Sequence, residues 1–146
     1  MENKSKAGEL FKCGYNCSQA VFCAYCEDLG INLETGLKLS SSFGGGMGRM
    51  REVCGAVSAM FMILGLKQGY TTSNDNEAKT AQYEKIQRLA KIFREKFGTI
   101  ICRELLNNPD TSPVATKRTP DFYETRPCLK FIEYAGQIIE KEILNK

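Results

Sequence analysis

Histidine is absent from this chain of 146 residues. Its absence excludes Cys–His nucleophilic catalysis and removes the commonest general base. Any metal site must then be built from thiolate or carboxylate ligands. Cysteine is therefore the most prominent side chain left for redox or metal chemistry.

Long hydrophobic runs and clusters of one charge sign are also missing. The longest apolar stretch, from Gly55 to Leu66, is shorter than the roughly 20 residues that cross a bilayer, so it predicts a buried helix and no membrane span. The polar segment from Met1 to Phe11 lacks the apolar core of a signal peptide, which favours a cytoplasmic location. The 20 basic and 17 acidic residues are interspersed and give a net charge of +3, which argues against nucleic-acid binding.

Strand-type alternation is not sustained anywhere, whereas helical spacing of apolar residues recurs along the chain. The length and the 42% hydrophobic content predict a single domain over residues 1–146, with one core. Stop and cap residues predict an all-α fold, a compact bundle of about five or six helices. One long connection, 107–125, contains three prolines and is predicted to be functional or mobile.

Seven cysteines are present: Cys13, Cys17, Cys23, Cys26, Cys54, Cys102 and Cys128. In a reducing cytosol a disulfide framework is not expected, and an odd number cannot pair completely within one chain. Metal ligation or thiol redox chemistry is therefore the leading interpretation.

Four of these cysteines fall where separate helices are predicted to begin: Cys17, Cys54, Cys102 and Cys128. Asn16 precedes the first of them as an N-cap, with Gln19 as its capping-box partner. A helix N-terminus carries about +0.5 of a charge and lowers the pKa of a thiol placed there. If the four starts converge, they form an electropositive pocket that suits a thiolate-bound iron centre. The simpler interpretation is that each cysteine is a small buried hydrophobic residue.

The other cysteines are predicted to be structural. Cys23 and Cys26 have the CxxC spacing of thioredoxin-like motifs, but they lie late in a predicted helix with no strand before it. Cys13 has no partner in such a motif. All three are therefore expected to act as ordinary thiols in or near the core.

A glycine-rich segment follows the third predicted helix, with glycine at positions 44, 45, 46 and 48. It lacks both the Lys-Ser/Thr of a P-loop and the preceding strand of a dinucleotide fold, so it predicts a loop with a turn and close backbone approach. Arg49 and Arg51 come next. Two interpretations of these arginines are open. They either offset thiolate charge or bind an anionic partner near the cysteines, or they are solvated surface charges.

Several motifs occur in order along nearly the whole chain: GYNCSQAV at 14–21, FGGGM at 43–47, CGA at 54–56, LGL at 64–66, CRELL at 102–106 and the late Cys128. Together they resemble the redox-active C-GCAxxG-C-C family, defined by a C…CGAxxG…C…C pattern. The resemblance implies that the characteristic cysteines are Cys17, Cys54, Cys102 and Cys128. Ala59 stands where the family motif ends in glycine, which adds a methyl group to the helix after Cys54.

The leading hypothesis is a redox protein whose four helix-start cysteines ligate an iron–sulfur cluster, for electron transfer or redox sensing with an unidentified redox partner. The supporting loop residues would be Gly44, Gly45, Gly46, Arg49 and Gly55. One alternative is a thiol–disulfide protein that uses a pair such as Cys17 and Cys54. Another is a non-redox interaction domain with a structural Cys₄ zinc site.

Overall fold

The computed structural model describes residues 3–146, which form helices joined by turns and loops. In chain order the α-helices are α1 (Asn3–Lys12), α2 (Cys17–Tyr25), α3 (Leu33–Ser41), α4 (Gly44–Met47), α5 (Gly55–Gln68), α6 (Asn76–Phe97), α7 (Cys102–Leu106), α8 (Pro120–Thr125) and α9 (Cys128–Ile138). A 3₁₀ turn follows α2, and a π-helical turn, Ile139–Ile143, extends α9. The prediction of an all-α bundle is confirmed; α4, α7 and α8 are short segments that raise the helix count slightly above five or six.

The core lies around α2 and α5. Helix α2 packs against α1, α3, α5 and α9, and α5 also contacts α6. Val21, Met60, Leu89 and Ile132 are fully buried where these helices meet. The apolar run forms α5, which is buried over most of Gly55 to Leu64 as predicted, whereas Gly65 and Leu66 at its end are exposed. No helix within residues 3–146 is long and apolar enough to cross a membrane.

The start of α2 is fixed by the predicted capping box. The Gln19 backbone N–H donates to Asn16 Oδ1 at 2.9 Å, and the Asn16 N–H donates to Gln19 Oε1 at 3.1 Å. The same side chains reach α3, because Asn16 Nδ2 donates to the Ser41 carbonyl and Gln19 Nε2 to the Leu37 carbonyl. The start of α2, where Cys17 is the first residue, is thereby held against the C-terminal half of α3.

The glycine-rich segment makes the predicted turn with close backbone approach, because α4 is only a short turn in which Gly45 and Gly46 have positive, non-helical φ. Gly46, at φ +74°, lies so close to its neighbours that a Cβ there would be 2.6 Å from the Cβ of Cys102 and 2.8 Å from the Cα of Arg51. Three non-glycine residues of the segment, Met47, Arg49 and Arg51, also have positive φ. Such backbone is unfavourable for L-residues, and it sets the directions of both arginine side chains.

An isolated bridge joins the starts of α5 and α7. Val53 pairs with Ile101, the Cys54 N–H donates to the Ile100 carbonyl at 2.8 Å, and the Cys102 N–H donates to the Glu52 carbonyl at 2.6 Å. Two helix-start cysteines that are far apart in sequence are therefore brought to the same side of the molecule.

The long connection is shorter than predicted, because its last residues form α8, capped by the Thr119 side chain. The remaining segment, 107–119, is held by arginines. Arg49 donates to the Ser112 carbonyl and the Thr116 hydroxyl, both at 2.7 Å, and Arg51 Nε donates to the Asp110 carbonyl at 2.9 Å. These bonds fold the segment over the glycine turn.

Candidate functional site

The four helix-start cysteines line one cavity of about 420 Å³: Cys17, Cys54, Cys102 and Cys128. Three of them are the first residues of α2, α7 and α9, and Cys54 is the N-cap residue of α5. The helix starts that the sequence predicts separately therefore converge. The volume falls in the range of small-molecule sites, roughly 300–1,000 Å³.

Cys17 lies in a polar environment that favours its thiolate. A hydrogen bond from Cys54 is the largest influence, and it lowers the pKa of Cys17 to about 6 although burial opposes the change. The backbone N–H groups of Gly45, Gly55 and Ser18 also donate to the Cys17 sulfur and lower its pKa further. Donors from a glycine turn and from two helix N-termini thus surround one half-buried sulfur.

Cys54 is the complementary member of this pair. Its hydrogen bond to Cys17 raises the pKa of the Cys54 thiol well above its usual range, and burial raises it further. The two sulfurs therefore hold one proton between them, with the charge on Cys17. Because a methyl group at Gly55 would lie 2.6 Å from Cys17 Sγ, the pair requires glycine at that position.

Cys102 and Cys128 face the same cavity as neutral thiols. Burial raises the pKa of both, to about 12 for Cys128, and the negative charge of Cys17 raises them further. Arg51 Nη1 lies 3.7 Å from Cys102 Sγ and acts in the opposite direction on that thiol. Within residues 3–146, no three histidine, cysteine or carboxylate side chains are close enough together to hold a metal ion. The structure thus pairs Cys17 with Cys54 and places Cys102 and Cys128 elsewhere on the wall of the same cavity.

The predicted supporting residues lie where the site requires close packing. Gly44, Gly45, Arg49 and Gly55 line the cavity, whereas Gly46 lies behind its wall against Cys102. A Cβ at Gly44 would collide with the Asn16 side chain. The glycines therefore let the turn approach the α2 start and the Cys17 sulfur.

The cavity wall also contains two arginines, Arg118 and Arg126, that the sequence does not predict as site residues. Arg118 donates to the carbonyls of Phe11 and Tyr15, at 3.2 and 3.0 Å, and its guanidinium lies 4.7 Å from the ring centre of Phe122. The length of the connection before α8 is the sequence signal that points to this region.

The remaining cysteines lie away from the cavity. Cys13 is exposed in the turn after α1, so the expectation that it lies in or near the core is wrong. Cys23 and Cys26 are fully buried in and just after α2, as expected. Burial raises the pKa of Cys23 to about 12. A Cβ at Gly36 would lie 2.7 Å from Cys26 Sγ, so α3 packs directly on these two thiols. Their surroundings favour neutral core thiols.

Comparison with known proteins agrees with the motifs of this cavity. No curated protein and no solved structure matches the chain. Residues 15–142, which include all four cavity cysteines, match the family described as "Putative redox-active protein (C_GCAxxG_C_C)". The match covers most of the chain, and the chain belongs to this redox-active family.

Proposed function

We propose that this protein is a thiol–disulfide redox protein in which Cys17 attacks and Cys54 resolves. The hydrogen-bonded Cys17–Cys54 pair carries the proposal, because it holds one sulfur as a thiolate near neutral pH. Cys54 is only 6% exposed, so a substrate that enters the cavity meets Cys17 first.

The exchange proceeds in two steps. The Cys17 thiolate attacks one sulfur of a substrate disulfide, forms a mixed disulfide and releases the other sulfur as a thiolate. Cys54 then loses its proton to a leaving thiolate and attacks the Cys17 sulfur, which releases the second substrate thiol. Two electrons pass from the Cys17–Cys54 dithiol to the substrate. The products are an intramolecular disulfide and two reduced substrate sulfurs.

The pair also explains how Cys54 becomes reactive. While Cys17 is a thiolate, the hydrogen bond and the adjacent charge keep Cys54 protonated. Once Cys17 is bound in a mixed disulfide, that negative charge is gone and the pKa of Cys54 falls. The resolving step is therefore favoured only after the first step has occurred.

The pH dependence of this exchange tests the proposal. With the neutral disulfide 2,2′-dithiodipyridine, we expect the rate of reaction at Cys17 to rise with pH and to be half-maximal near pH 6, because the thiolate is the reacting form. Rapid acid quenching and peptide mass spectrometry give the rate for each cysteine. Cys128, whose pKa is raised to about 12, is the internal control and should react little below pH 8. A Cys17 profile that only begins to rise above pH 8 would contradict the proposal.

An iron–sulfur centre is the second candidate, and it is favoured by the shared cavity. Four cysteines from four helix starts line it, and thiolate ligands are those that such clusters use. The four side chains are therefore of the right chemical type for a cluster, and the surrounding arginines suit the negative charge of a thiolate-ligated cluster. In this conformation, the residues described do not place three donors together, so Cys102 and Cys128 would have to turn toward the pair. The same four thiols suit zinc as well.

The two candidates differ in what the purified protein contains. Anaerobic purification followed by iron, zinc and acid-labile sulfide analysis distinguishes cluster, zinc and metal-free forms. For a cluster, Cys128→Ser would remove bound iron, whereas replacement of the three cysteines outside the cavity would not. For the thiol–disulfide proposal, Cys128→Ser would leave the exchange at Cys17 intact.

A further inference from the structure

The cavity wall is strongly positive. Four arginines line it, Arg49, Arg51, Arg118 and Arg126, and none of the aspartates or glutamates that the structure describes does. The Cys17 thiolate and the Asp110 carboxylate, which pairs with Arg49, supply two negative charges against these four positive ones. This imbalance in a partly enclosed space favours an anionic ligand.

Two of the four arginines are occupied in holding the fold. Arg49 donates hydrogen bonds to the 107–119 segment, and its guanidinium lies 3.6 Å from the carboxylate of Asp110. Arg118 donates to two backbone carbonyls and stacks on aromatic rings. Their positive charges remain, but their hydrogen-bonding capacity is largely used.

Arg51 is the unusual member of the group. It is 1% exposed, with Nε bonded to the Asp110 carbonyl and Nη1 near Cys102 Sγ. Its third nitrogen, Nη2, is buried and has no hydrogen-bond partner among the described residues. Leaving a buried donor of a charged group unpaired is costly, so this atom indicates a missing acceptor.

Arg126 completes the positive wall. Its guanidinium lies 5.1 Å from the ring centre of Phe122. Among the described side chains, those of residues 6–146, none forms an ion pair with it. It is close enough to Cys102, Cys128 and Arg49 to influence the pKa of each. The pKa of Arg49 is lowered, first by burial and then by the nearby positive charge of Arg51. Asp110 acts in the opposite direction and Arg126 lowers the pKa further, so the arginines of the cavity repel one another.

We propose that Arg51 and Arg126 form a binding site for an oxyanion group, such as a carboxylate, of a small disulfide substrate beside Cys17. An oxyanion would accept from Arg51 Nη2 and balance the repulsion among the arginines. A cavity of about 420 Å³ suits a small molecule, whereas a folded protein partner would not enter it. The assignment of a disulfide as substrate rests on the proposed function; the anion site rests on the arginines alone.

Binding of two small disulfides of opposite charge tests this inference. In the Cys17→Ser, Cys54→Ser double variant, the proposed exchange pair is absent, and binding is measured by isothermal titration calorimetry. The probes are 3,3′-dithiodipropionate, a dianion, and cystamine, a dication of similar size. We expect the dianion to bind at least about tenfold more tightly than the dication, and more weakly as salt is added.

Arginine variants locate the site. Arg126→Gln should weaken binding of the dianion by about tenfold, which corresponds to the loss of one charge-assisted contact. Arg88→Gln is the matched control, because Arg88 is exposed on α6 and pairs with Glu142 away from the cavity. Equal binding of both probes, or equal weakening by Arg126→Gln and Arg88→Gln, would overturn the inference. Because the double variant lacks the exchange pair, this result is independent of whether the wild-type protein exchanges disulfides at Cys17.

Discussion

The Cys17→Ser variant is expected to lose the fast phase of disulfide exchange at pH 6.5. An ordinary thiol with a pKa of about 8.5 is only about 1% ionised at that pH, whereas Cys17, with a pKa lowered to about 6, is mostly thiolate. A more basic thiolate is intrinsically more nucleophilic, which offsets part of this difference. We therefore expect the residual exchange at other thiols to be about five- to tenfold slower.

Stopped-flow measurement with 2,2′-dithiodipyridine checks this prediction. Cys13→Ser is the matched control, because Cys13 is exposed but lies outside the cavity. The control should retain the fast phase. If Cys17→Ser retains it and Cys13→Ser loses it, the nucleophile has been assigned to the wrong cysteine.

Two glycines of the same helix are expected to respond to alanine in opposite directions. At Gly55 the new methyl group would lie 2.6 Å from Cys17 Sγ and 2.9 Å from the Phe43 carbonyl oxygen. Such overpacking lowers the free energy of unfolding by about 1–3 kcal/mol. At Gly65, also in α5, the methyl group meets nothing within 4 Å. Alanine there should stabilise the protein by about 0.5–1 kcal/mol, because glycine is a poor helix former.

Urea unfolding of both variants, followed by far-UV circular dichroism, gives the two changes in stability. Gly55→Ala should also slow the exchange at Cys17, because displacing the sulfur weakens the hydrogen bonds that hold its thiolate. Gly65→Ala should leave that rate unchanged. Similar stability changes in both variants would show that the close approach of α5 to Cys17 does not constrain the site.

Local sequence signals predict much of this fold. Asn16 and Gln19 define the start of α2 because their hydrogen bonds join residues three apart. The apolar run of α5 is recognised because most of its residues from Gly55 to Leu64 are buried, so apolar side chains occur on more than one face of the helix. The same local reasoning places a cysteine at each of four helix starts. These predictions need no knowledge of how the helices pack.

The contacts that form the pair cannot be predicted in this way. Cys17 and Cys54 meet because Asn16 ties α2 to the end of α3 and because Gly55 lets α5 approach closely. Both are tertiary effects between segments distant in sequence. Arg126 is missed for a similar reason, since its place in the cavity depends on where α8 and α9 pack. The helix-start pattern therefore predicts the cysteines, and it offers Cys17 and Cys54 only as one example of a pair, because tertiary contacts decide which two interact.

The identity of the disulfide formed under oxidation tests the central claim, that Cys17 and Cys54 act as a redox pair. The reduced protein is equilibrated in glutathione buffers of increasing potential, quenched with acid, alkylated and mapped by peptide mass spectrometry. We predict a reversible Cys17–Cys54 disulfide as the main intramolecular product, with Cys23 and Cys26 remaining reduced because they are fully buried. A Cys23–Cys26 disulfide in place of it, or the absence of any disulfide that contains Cys17, would contradict the account.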